Sequence, residues 1–335
     1  MSNKGEEMFK IVYILTSNVK DYYYNQLMIS LVSLRNQMPN QPVEVIMDQD
    51  TYETLTGNRG DIFQYAEIVK VNVDEKYSQK ERSRYLKTSL RRYIEGDFLF
   101  IDCDTVICSD FSFFSDESFI AMTLDRNCLM SERDDKGKSI YEVGKRCGFN
   151  LDNCEKYFNS GVMWVRDTIE TEEFFEDWHT YWKETLKIGM CVDQPSLNYV
   201  NYLKKNVINE LDGKWNCQVT LRPAGVSYIN DAYIMHYFNI KANGPYLLCN
   251  EAVIRAGLDD PTIKKVIANP RAAFKPSYLV TMNSDTNELL ESRAFKILLK
   301  IYKNAHEVYE FGEKMLAAIS KLKGTLIRDK NWKNY

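Results

Sequence analysis

The segment Phe98-Leu-Phe-Ile-Asp-Cys-Asp-Thr-Val-Ile107 decides the fold class. Its first four residues are all apolar, which predicts a strand buried on both faces, because a half-exposed strand would alternate apolar and polar residues. Asp102 and Asp104 follow at the carboxyl end of this strand. Side chains two residues apart on an extended chain point the same way, so both carboxylates can face one ion. Open α/β sheets bind their ligands at this end of their strands.

Apolar runs and helical patterns alternate around this segment. The spacing predicts further strands at residues 9–15, 43–47 and 68–71, a helix that ends near Met38-Pro39, and another helix over 81–94. This alternation is typical of an α/β fold with a mostly parallel sheet flanked by helices.

The later part of the chain is less regular. Residues 174–186 predict an amphipathic helix whose aromatic stripe packs into the core, and the polar residues 131–153 predict a mobile excursion. Beyond about residue 250 the pattern is mostly helical. We therefore expect a catalytic domain over residues 1–250 and a helical, basic C-terminal region over 251–335.

Composition limits the possible function classes. The 335 residues carry a net charge of −4, which argues against a general nucleic-acid binder. The first ten residues lack the apolar core of a secretory signal, and no run approaches the ~18 apolar residues of a spanning helix. Eight cysteines without a C-x-x-C pair predict reduced thiols, and hence a cytoplasmic protein.

The two carboxylates predict a cation site. Close carboxylates repel each other, and each raises the pKa of the other unless a cation lies between them. A hard divalent ion such as Mn²⁺ or Mg²⁺ suits oxygen ligands and could neutralise a diphosphate leaving group. Two alternatives remain at this point: a solvated turn at a strand end, and the nucleophile motif of a dehalogenase-like phosphatase, with Asp102 attacking phosphate.

Three later segments make the pattern more specific. They are Tyr157-Phe-Asn-Ser-Gly-Val-Met163, Asp193-Gln-Pro-Ser-Leu-Asn198 and Met235-His-Tyr237. With Asp102 and Asp104, in this order and spacing, they resemble the retaining glycosyltransferases of the glycogenin and lipooligosaccharide galactosyltransferase group (family 8). The similarity covers residues 9–246.

The resemblance implies a GT-A type fold, a nucleotide-sugar donor that is usually UDP-linked, a Mn²⁺ ion and retention of anomeric configuration. Asp102, Asp104 and His236 match the family's metal ligands, and neutral imidazole is an acceptable Mn²⁺ ligand. The acceptor stays open, a glycan or a lipid-linked saccharide being possible. A nucleotide-sugar-binding module without catalysis is a further alternative.

The resemblance also assigns donor contacts and catalytic groups. Arg84, with Lys87 as the fallback, is expected to lie against the donor, and Lys241 comes one residue earlier than the family's diphosphate-contacting lysine. Asn216 is expected to help on the acceptor side. The expected donor-binding residues are Thr16, Ser17, Asn18, Arg84, Asp102, Cys103, Asn159, Gly161 and Lys241. The expected catalytic residues are Asp193, Gln194 and Asp125, with Gln194 favoured as an electrostatic and positioning group.

The C-terminal residues concentrate positive charge. Residues 292–335 contain ten Lys or Arg and four Asp or Glu, whereas the rest of the chain is acidic. Apolar residues keep helical spacing through this tail. A helix of this kind could lie on an anionic membrane surface, as a peripheral contact, or it could present a solvated charged face to water.

Overall fold

A seven-stranded sheet forms the centre of the protein. The computed structural model describes residues 9–133, 135–152, 154–219, 228–238, 248, 250–270 and 292–326. The chain divides into two compact units, Met1–Leu279 and Val280–Tyr335. The sheet lies in the first unit.

The large sheet is mostly parallel. Its strands, in spatial order, are β3 (Glu67–Val71), β2 (Val43–Asp48), β1 (Lys10–Leu15), β4 (Phe98–Ile101), β7 (Phe158–Val165), β6 (Ile120–Leu124) and β8 (Asn209–Glu210). Only β7 runs against its neighbours β4 and β6, and the other four pairings are parallel. The predicted mostly parallel sheet is confirmed.

Strand β4 is buried on both faces, as its apolar sequence predicts. Leu99 and Ile101 belong to one hydrophobic cluster, and Phe98 and Phe100 belong to another on the opposite face. Burial of an apolar side chain stabilises the fold by roughly 1.5–3 kcal/mol. The buried strand therefore fixes the position of the residues that follow it.

Helices flank the sheet of the first unit. They are α1 (Tyr23–Gln37), α2 (Gln49–Glu53), α3 (Gln79–Thr88), α4 (Lys138–Arg146), α5 (Ile169–Lys187), α6 (Gln194–Leu203), α7 (Glu251–Ala256) and α8 (Pro261–Ala268). Helix α3 is shorter than predicted. Ser78 begins the helix in a capping box with Glu81. Ser89, just beyond the end of the helix, donates through its hydroxyl to the carbonyl of Tyr85.

A small second sheet lies beside the end of β4. It contains β5 (Thr105–Ile107), β10 (Ile234–His236) and β9 (Cys217–Gln218) in that order. Because β10 pairs antiparallel with β5, His236 lies opposite Thr105, the residue after Asp104. This pairing joins segments of the chain more than one hundred residues apart.

The polar stretch 131–153 has more structure than predicted. It contains α4, and a small apolar cluster that includes Met130, Phe149 and Leu151 lies around it. A helix with its own core replaces the irregular excursion that the composition indicated.

The two units divide beyond the boundary expected at residue 250. Helices α7 and α8 belong to the first unit, where the side-chain amide of Asn25 on α1 donates to the carbonyls of Ile254 and Arg255. The second unit consists, in its described part, of α9 (Arg293–Asn304) and α10 (His306–Leu326), which confirms the helical C-terminal appendage. Among the residues that the structure describes, no helix has the length and hydropathy needed to cross a bilayer.

One buried histidine makes stability depend on pH. His179 on α5 shares a 2.8 Å hydrogen bond with the hydroxyl of Thr88, and burial lowers its pKa to about 3. In the unfolded chain the pKa is about 6.5, so the unfolded state binds more protons between roughly pH 6.5 and pH 3. We expect His179 to lower the free energy of unfolding as the pH falls through this window, by up to ~1.4 kcal/mol per pH unit.

The matched variant is His179→Asn, whose amide can replace the bond to Thr88 without titrating. Urea unfolding across this pH range should show a shallower loss of stability for the variant than for the wild type. Parallel curves would contradict the assignment.

Candidate active site

Three potential metal ligands converge at the carboxyl end of β4. Asp102, Asp104 and His236 each place one ligand atom within 4.8 Å of the others, and Nε2 of His236 lies 3.2 Å from the carboxylate of Asp104. The hydroxyl of Thr105 donates to the carbonyl of Asp102 and also contacts Ser30 on α1. The hydrogen bonds of Thr105 thus fix the turn that carries the two carboxylates.

Helix α3 brings two cations to this end of the sheet. Nζ of the buried Lys87 lies 2.8 and 3.0 Å from the two carboxylate oxygens of Asp102. Nε of Arg84 lies 2.9 Å from Asp193. Residues 84 and 87 are three apart on the helix and therefore share one face. The structure places the fallback residue Lys87 against the candidate metal ligand and Arg84 one turn away.

The electrostatics of the cluster are set by burial and by these cations. Burial raises the pKa of Asp102 by more than contact with Lys87 lowers it. Burial alone would lower the pKa of His236, but Asp104 beside it raises the pKa overall. Burial would raise the pKa of Asp104, but His236, a backbone hydrogen bond and Lys87 together outweigh burial and lower it. Without a metal, positive charge at His236 and Lys87 compensates the carboxylates.

Gly161 on β7 makes room for the cluster. Its carbonyl accepts a 2.8 Å hydrogen bond from the amide of Asp102. A Cβ atom at this position would lie 2.7 Å from Nδ1 of His236, closer still to Cε1 of that ring, and 2.8 Å from Oδ1 of Asn159. Only a residue without a side chain allows the imidazole to approach this strand.

A second polar cluster surrounds Asp125, just after β6. One carboxylate oxygen accepts hydrogen bonds from the amides of Asn159 at 2.9 Å and Gln194 at 3.2 Å. The other accepts one at 3.0 Å from the buried Arg133. The structure thus brings together Asp125, Asn159 and Gln194, which come from three separate segments.

Asp193 lies at the start of α6, and both of its carboxylate oxygens have a partner. One forms the ion pair with Arg84, and the other accepts a 2.8 Å hydrogen bond from the hydroxyl of Ser160. Burial would raise the pKa of Asp193, but Arg84 and Lys87 outweigh burial and lower it. The group is therefore a buried, paired carboxylate that links α3 to α6.

An open cleft of about 510 Å³ extends from the two carboxylates along the end of β1. Its lining includes Arg84, Asp102, Cys103, Asp104, Thr16, Asp21, Tyr23 and Gln79. Cys103 donates through Sγ to the carbonyl of Ile14, and burial raises the pKa of its thiol well above the ordinary value. Cys103 is thus a neutral lining residue.

Thr16, Ser17 and Asn18, which are expected to bind the donor, are hydrogen-bonded within the protein, and Thr16 lines this cleft. The amide of Gln79 donates to the carbonyl of Thr16 at 2.9 Å, and its oxygen accepts from the amide of Asn18 at 2.6 Å. The hydroxyl of Ser17 donates to Asp21 at 2.7 Å. Gln79 and Asp21 thus belong to this region, although the sequence did not indicate them.

Of the other residues expected at the site, Lys241 lies outside the described residues. Asn216, expected on the acceptor side, is fully buried and hydrogen-bonds Asn159 and His236. Arg133 was missed because it lies in a polar stretch with no motif of its own.

Comparisons with known proteins show the family of the chain. A family model described as nucleotide-diphospho-sugar transferase matches residues 40–243, more than half of the chain. The chain therefore belongs to the nucleotide-diphospho-sugar transferase family, and the glycosyltransferase class predicted from the sequence is confirmed. The match gives no support to the dehalogenase-type phosphatase. No curated protein matches the chain significantly.

Two solved structures are similar to the chain at low identity. The galactosyltransferase LgtC, in complex with donor and acceptor sugar analogs, is 15% identical, with 77% of this chain and 100% of that chain covered and a TM-score of 0.48. Mouse xyloside xylosyltransferase 1, in its apo form, is 12% identical, with 68% and 96% covered and a TM-score of 0.45.

The close approach at Gly161 can be tested by adding one methyl group. In Gly161→Ala the new Cβ would have to push the imidazole of His236 out of position. Such overpacking costs about 1–3 kcal/mol of stability, and we expect Mn²⁺ binding, measured by calorimetry, to weaken by ~10-fold or more. Gly60→Ala is the control, because its Cβ meets only an ordinary 3.8 Å contact. Equal Mn²⁺ affinity in the two variants would contradict the assigned role.

Proposed function

We propose that this protein is a metal-dependent, retaining glycosyltransferase that uses a UDP-sugar and transfers its sugar to a glycan or lipid-linked saccharide. The observation that carries the proposal is the convergence of Asp102, Asp104 and His236 beside an open cleft. The two carboxylates follow β4 and the imidazole ends β10, and no local sequence pattern joins these segments. Their convergence is the property expected of a ligand set.

The donor set fits Mn²⁺, or Mg²⁺ as the second choice. Carboxylate oxygens suit both ions, and an imidazole nitrogen favours Mn²⁺. When bound, the ion would supply charge neutralisation for a departing nucleotide diphosphate. Nε2 of His236 lies 3.2 Å from the Asp104 carboxylate, which can only accept, so a cation bound to Nε2 would displace the proton of this bond.

Lys87 and Arg84 supply fixed positive charge on the same side of the cleft. Lys87 is held against Asp102 and Arg84 against Asp193, so neither side chain needs to be ordered when a donor arrives. Arg84 lines the cleft and, in our proposal, makes the charge-assisted contact to the donor phosphates. Lys87, which is 3% exposed, instead lowers the pKa of Asp102 against the effect of burial.

The cluster around Asp125 is the proposed binding face for the donor sugar. Gln194 and Asn159 are oriented by the Asp125 carboxylate. The amide nitrogen of Asn159 has a second hydrogen for a sugar hydroxyl, whereas that of Gln194 also donates to the carbonyl of Phe158 at 3.4 Å, so Gln194 would offer its amide oxygen. Gln194 is an amide and a poor nucleophile, so its proposed role is to stabilise the oxocarbenium-like state. Asp193 is buried and paired with Arg84, which suits a positioning role better than covalent attack.

Replacing one carboxylate tests the proposal. Asp102→Asn replaces a carboxylate ligand with a neutral amide, and we expect Mn²⁺-dependent hydrolysis of UDP-sugars to fall by more than ~100-fold, above the loss typical of outer-shell partners. A screen of nucleotide sugars by thermal shift, with and without Mn²⁺, identifies the donor for this assay. The control is Asp61→Asn, which removes an exposed carboxylate from the same unit.

Turnover at the wild-type rate by Asp102→Asn would refute the metal site. Release of phosphate from an aryl phosphate by the wild-type protein, without activity on any nucleotide sugar, would point to a phosphatase instead.

We further propose that the second unit contacts an anionic membrane surface. Arg293, Lys296 and Lys300 share one face of α9 through their spacing. Exposed apolar side chains are present on both helices of this unit: Ile297, Leu298, Leu299, Tyr302, Val308, Phe311, Met315 and Leu316. Apolar and basic side chains on the same short helices are typical of peripheral binding.

Charge reversal tests this contact. We expect Arg293→Glu, Lys296→Glu and Lys300→Glu together to abolish sedimentation with anionic vesicles, with ~1 kcal/mol lost per basic residue. The control reverses three exposed charges on α4, Lys138, Lys145 and Arg146. If the two triple variants bind vesicles alike, the attraction is unspecific and the proposal is wrong.

A further inference from the structure

A line of hydrogen bonds connects the candidate metal ligand His236 to the donor-sugar cluster. Nδ1 of His236 lies 3.0 Å from Oδ1 of Asn216. Nδ2 of Asn216 lies 2.9 Å from Oδ1 of Asn159, and Nδ2 of Asn159 lies 2.9 Å from the carboxylate of Asp125. The line thus joins four side chains from four segments of the chain.

The direction of every bond in this line follows from one backbone group. The amide N–H of Gly161 can only donate, and it lies 2.9 Å from Oδ1 of Asn159. The oxygen of Asn159 is therefore on this side, and its nitrogen faces Asp125, which as a carboxylate can only accept. Because Asn159 presents an oxygen to Asn216, Asn216 must present its nitrogen in return.

The orientation of Asn216 then determines the state of the imidazole. With its nitrogen donating to Asn159, Asn216 has only its oxygen left for His236. An oxygen can only accept, so Nδ1 of His236 must carry a hydrogen. The carboxylate of Asp104, 3.2 Å from Nε2, can also only accept, so in the metal-free protein Nε2 carries a hydrogen as well. When a cation displaces that hydrogen, the neutral ring that remains is the Nδ1–H tautomer.

We propose that Asn216 is a positioning residue that holds His236 in the Nδ1–H tautomer, so that Nε2 is free to bind a divalent cation beside Asp104. This inference rests on the metal site proposed above, and it adds a residue that acts on that site without contacting the ion. Ligating histidines in proteins are commonly oriented in this way through their second nitrogen.

Burial makes the arrangement rigid. Asn216 is fully buried, and His236 and Asn159 are 4% and 5% exposed, so water does not compete for these bonds. The backbone of Asn216 is held as well, because the side-chain amide of Asn127 donates to its carbonyl at 3.0 Å. A flipped Asn216 amide would place nitrogen against nitrogen and oxygen against oxygen, which costs about 1–3 kcal/mol for each unsatisfied buried group.

The first test measures the tautomer in metal-free protein. The chain has only three histidines, so ¹⁵N-histidine labelling gives a readable spectrum, and His236→Asn identifies the signals of His236. At alkaline pH, where the ring is neutral, we expect a protonated Nδ1 and a bare Nε2 in Asp104→Asn, whose amide can donate to Nε2 so that Asn216 alone requires a hydrogen on the ring. A protonated Nε2 in this variant would overturn the proposal, and this measurement needs neither metal nor donor.

The second test separates the two bonds of Asn216. Asn216→Leu removes both, and we expect Mn²⁺ affinity, measured by calorimetry without donor, to fall by ~10–100-fold. Asn216→Asp keeps an acceptor for Nδ1–H but loses the donor to Asn159, so Mn²⁺ affinity should stay within a few-fold of wild type while KM for the donor rises. Asn201→Leu is the control, since Asn201 is an equally buried asparagine whose side chain bonds the amide of Ile208.

The outcomes distinguish this inference from the proposed function. Wild-type Mn²⁺ affinity in a folded Asn216→Leu protein, or equal losses in Asn216→Leu and Asn201→Leu, would overturn the role of Asn216 while leaving the transferase proposal intact. If Asn216→Leu does not fold, the tautomer measurement in Asp104→Asn decides. Absence of Mn²⁺ binding by the wild type would instead refute the proposed metal site.

Discussion

Two carboxylates at the end of a buried strand need positive charge, and the structure around the site supplies it. Burial disfavours the ionised forms of Asp102 and Asp104, which also repel each other. Lys87 compensates Asp102, and His236 compensates Asp104. A partly buried carboxylate pair without such partners would cost several kcal/mol. Helix α3 and the small second sheet bring these two partners to the carboxylates.

The same requirement makes the cluster suitable for a divalent ion. The side chains that compensate the carboxylates are a lysine held by α3 and a histidine held by β10, and the histidine can give up its proton to become a ligand. The free energy needed to bring these charged side chains together is thus supplied when the chain folds. Preorganised charge of this kind is the usual source of transition-state stabilisation in enzymes.

The hydrogen bonds behind the cluster connect the proposed metal site to the proposed donor-sugar site. Asn159 accepts from the backbone of Gly161 and from Asn216 and donates to Asp125, so it belongs to both sites at once. Gly161 contributes twice, through its amide and through the absence of a side chain beside His236. The sequence motif that contains Asn159 and Gly161 therefore has a structural role besides any contact with a donor.

Local sequence patterns predicted part of the fold and part of the candidate site. The apolar run of β4 predicted a buried strand, and the spacing of Asp102 and Asp104 predicted that they face one way, as observed. The convergence of His236 required the family resemblance, because β5 and β10 pair across more than one hundred residues.

Other contacts have no local signature. Whether Arg84 or Lys87 meets Asp102 depends on the rotation of α3 against the sheet, which is a property of packing. The buried partners Asn216 and Arg133 depend on hydrogen bonds between segments far apart in sequence, and no spacing rule indicates them.

The most direct test is to locate the ion. Crystals of the wild-type protein soaked with Mn²⁺ and UDP should show an anomalous scattering peak at the manganese edge. Our account predicts this peak within coordination distance of a carboxylate oxygen of Asp102, one of Asp104 and Nε2 of His236, about 2.0–2.3 Å for such ligands. A peak that excludes His236, or UDP bound in the cleft with no ion among these three side chains, would contradict it.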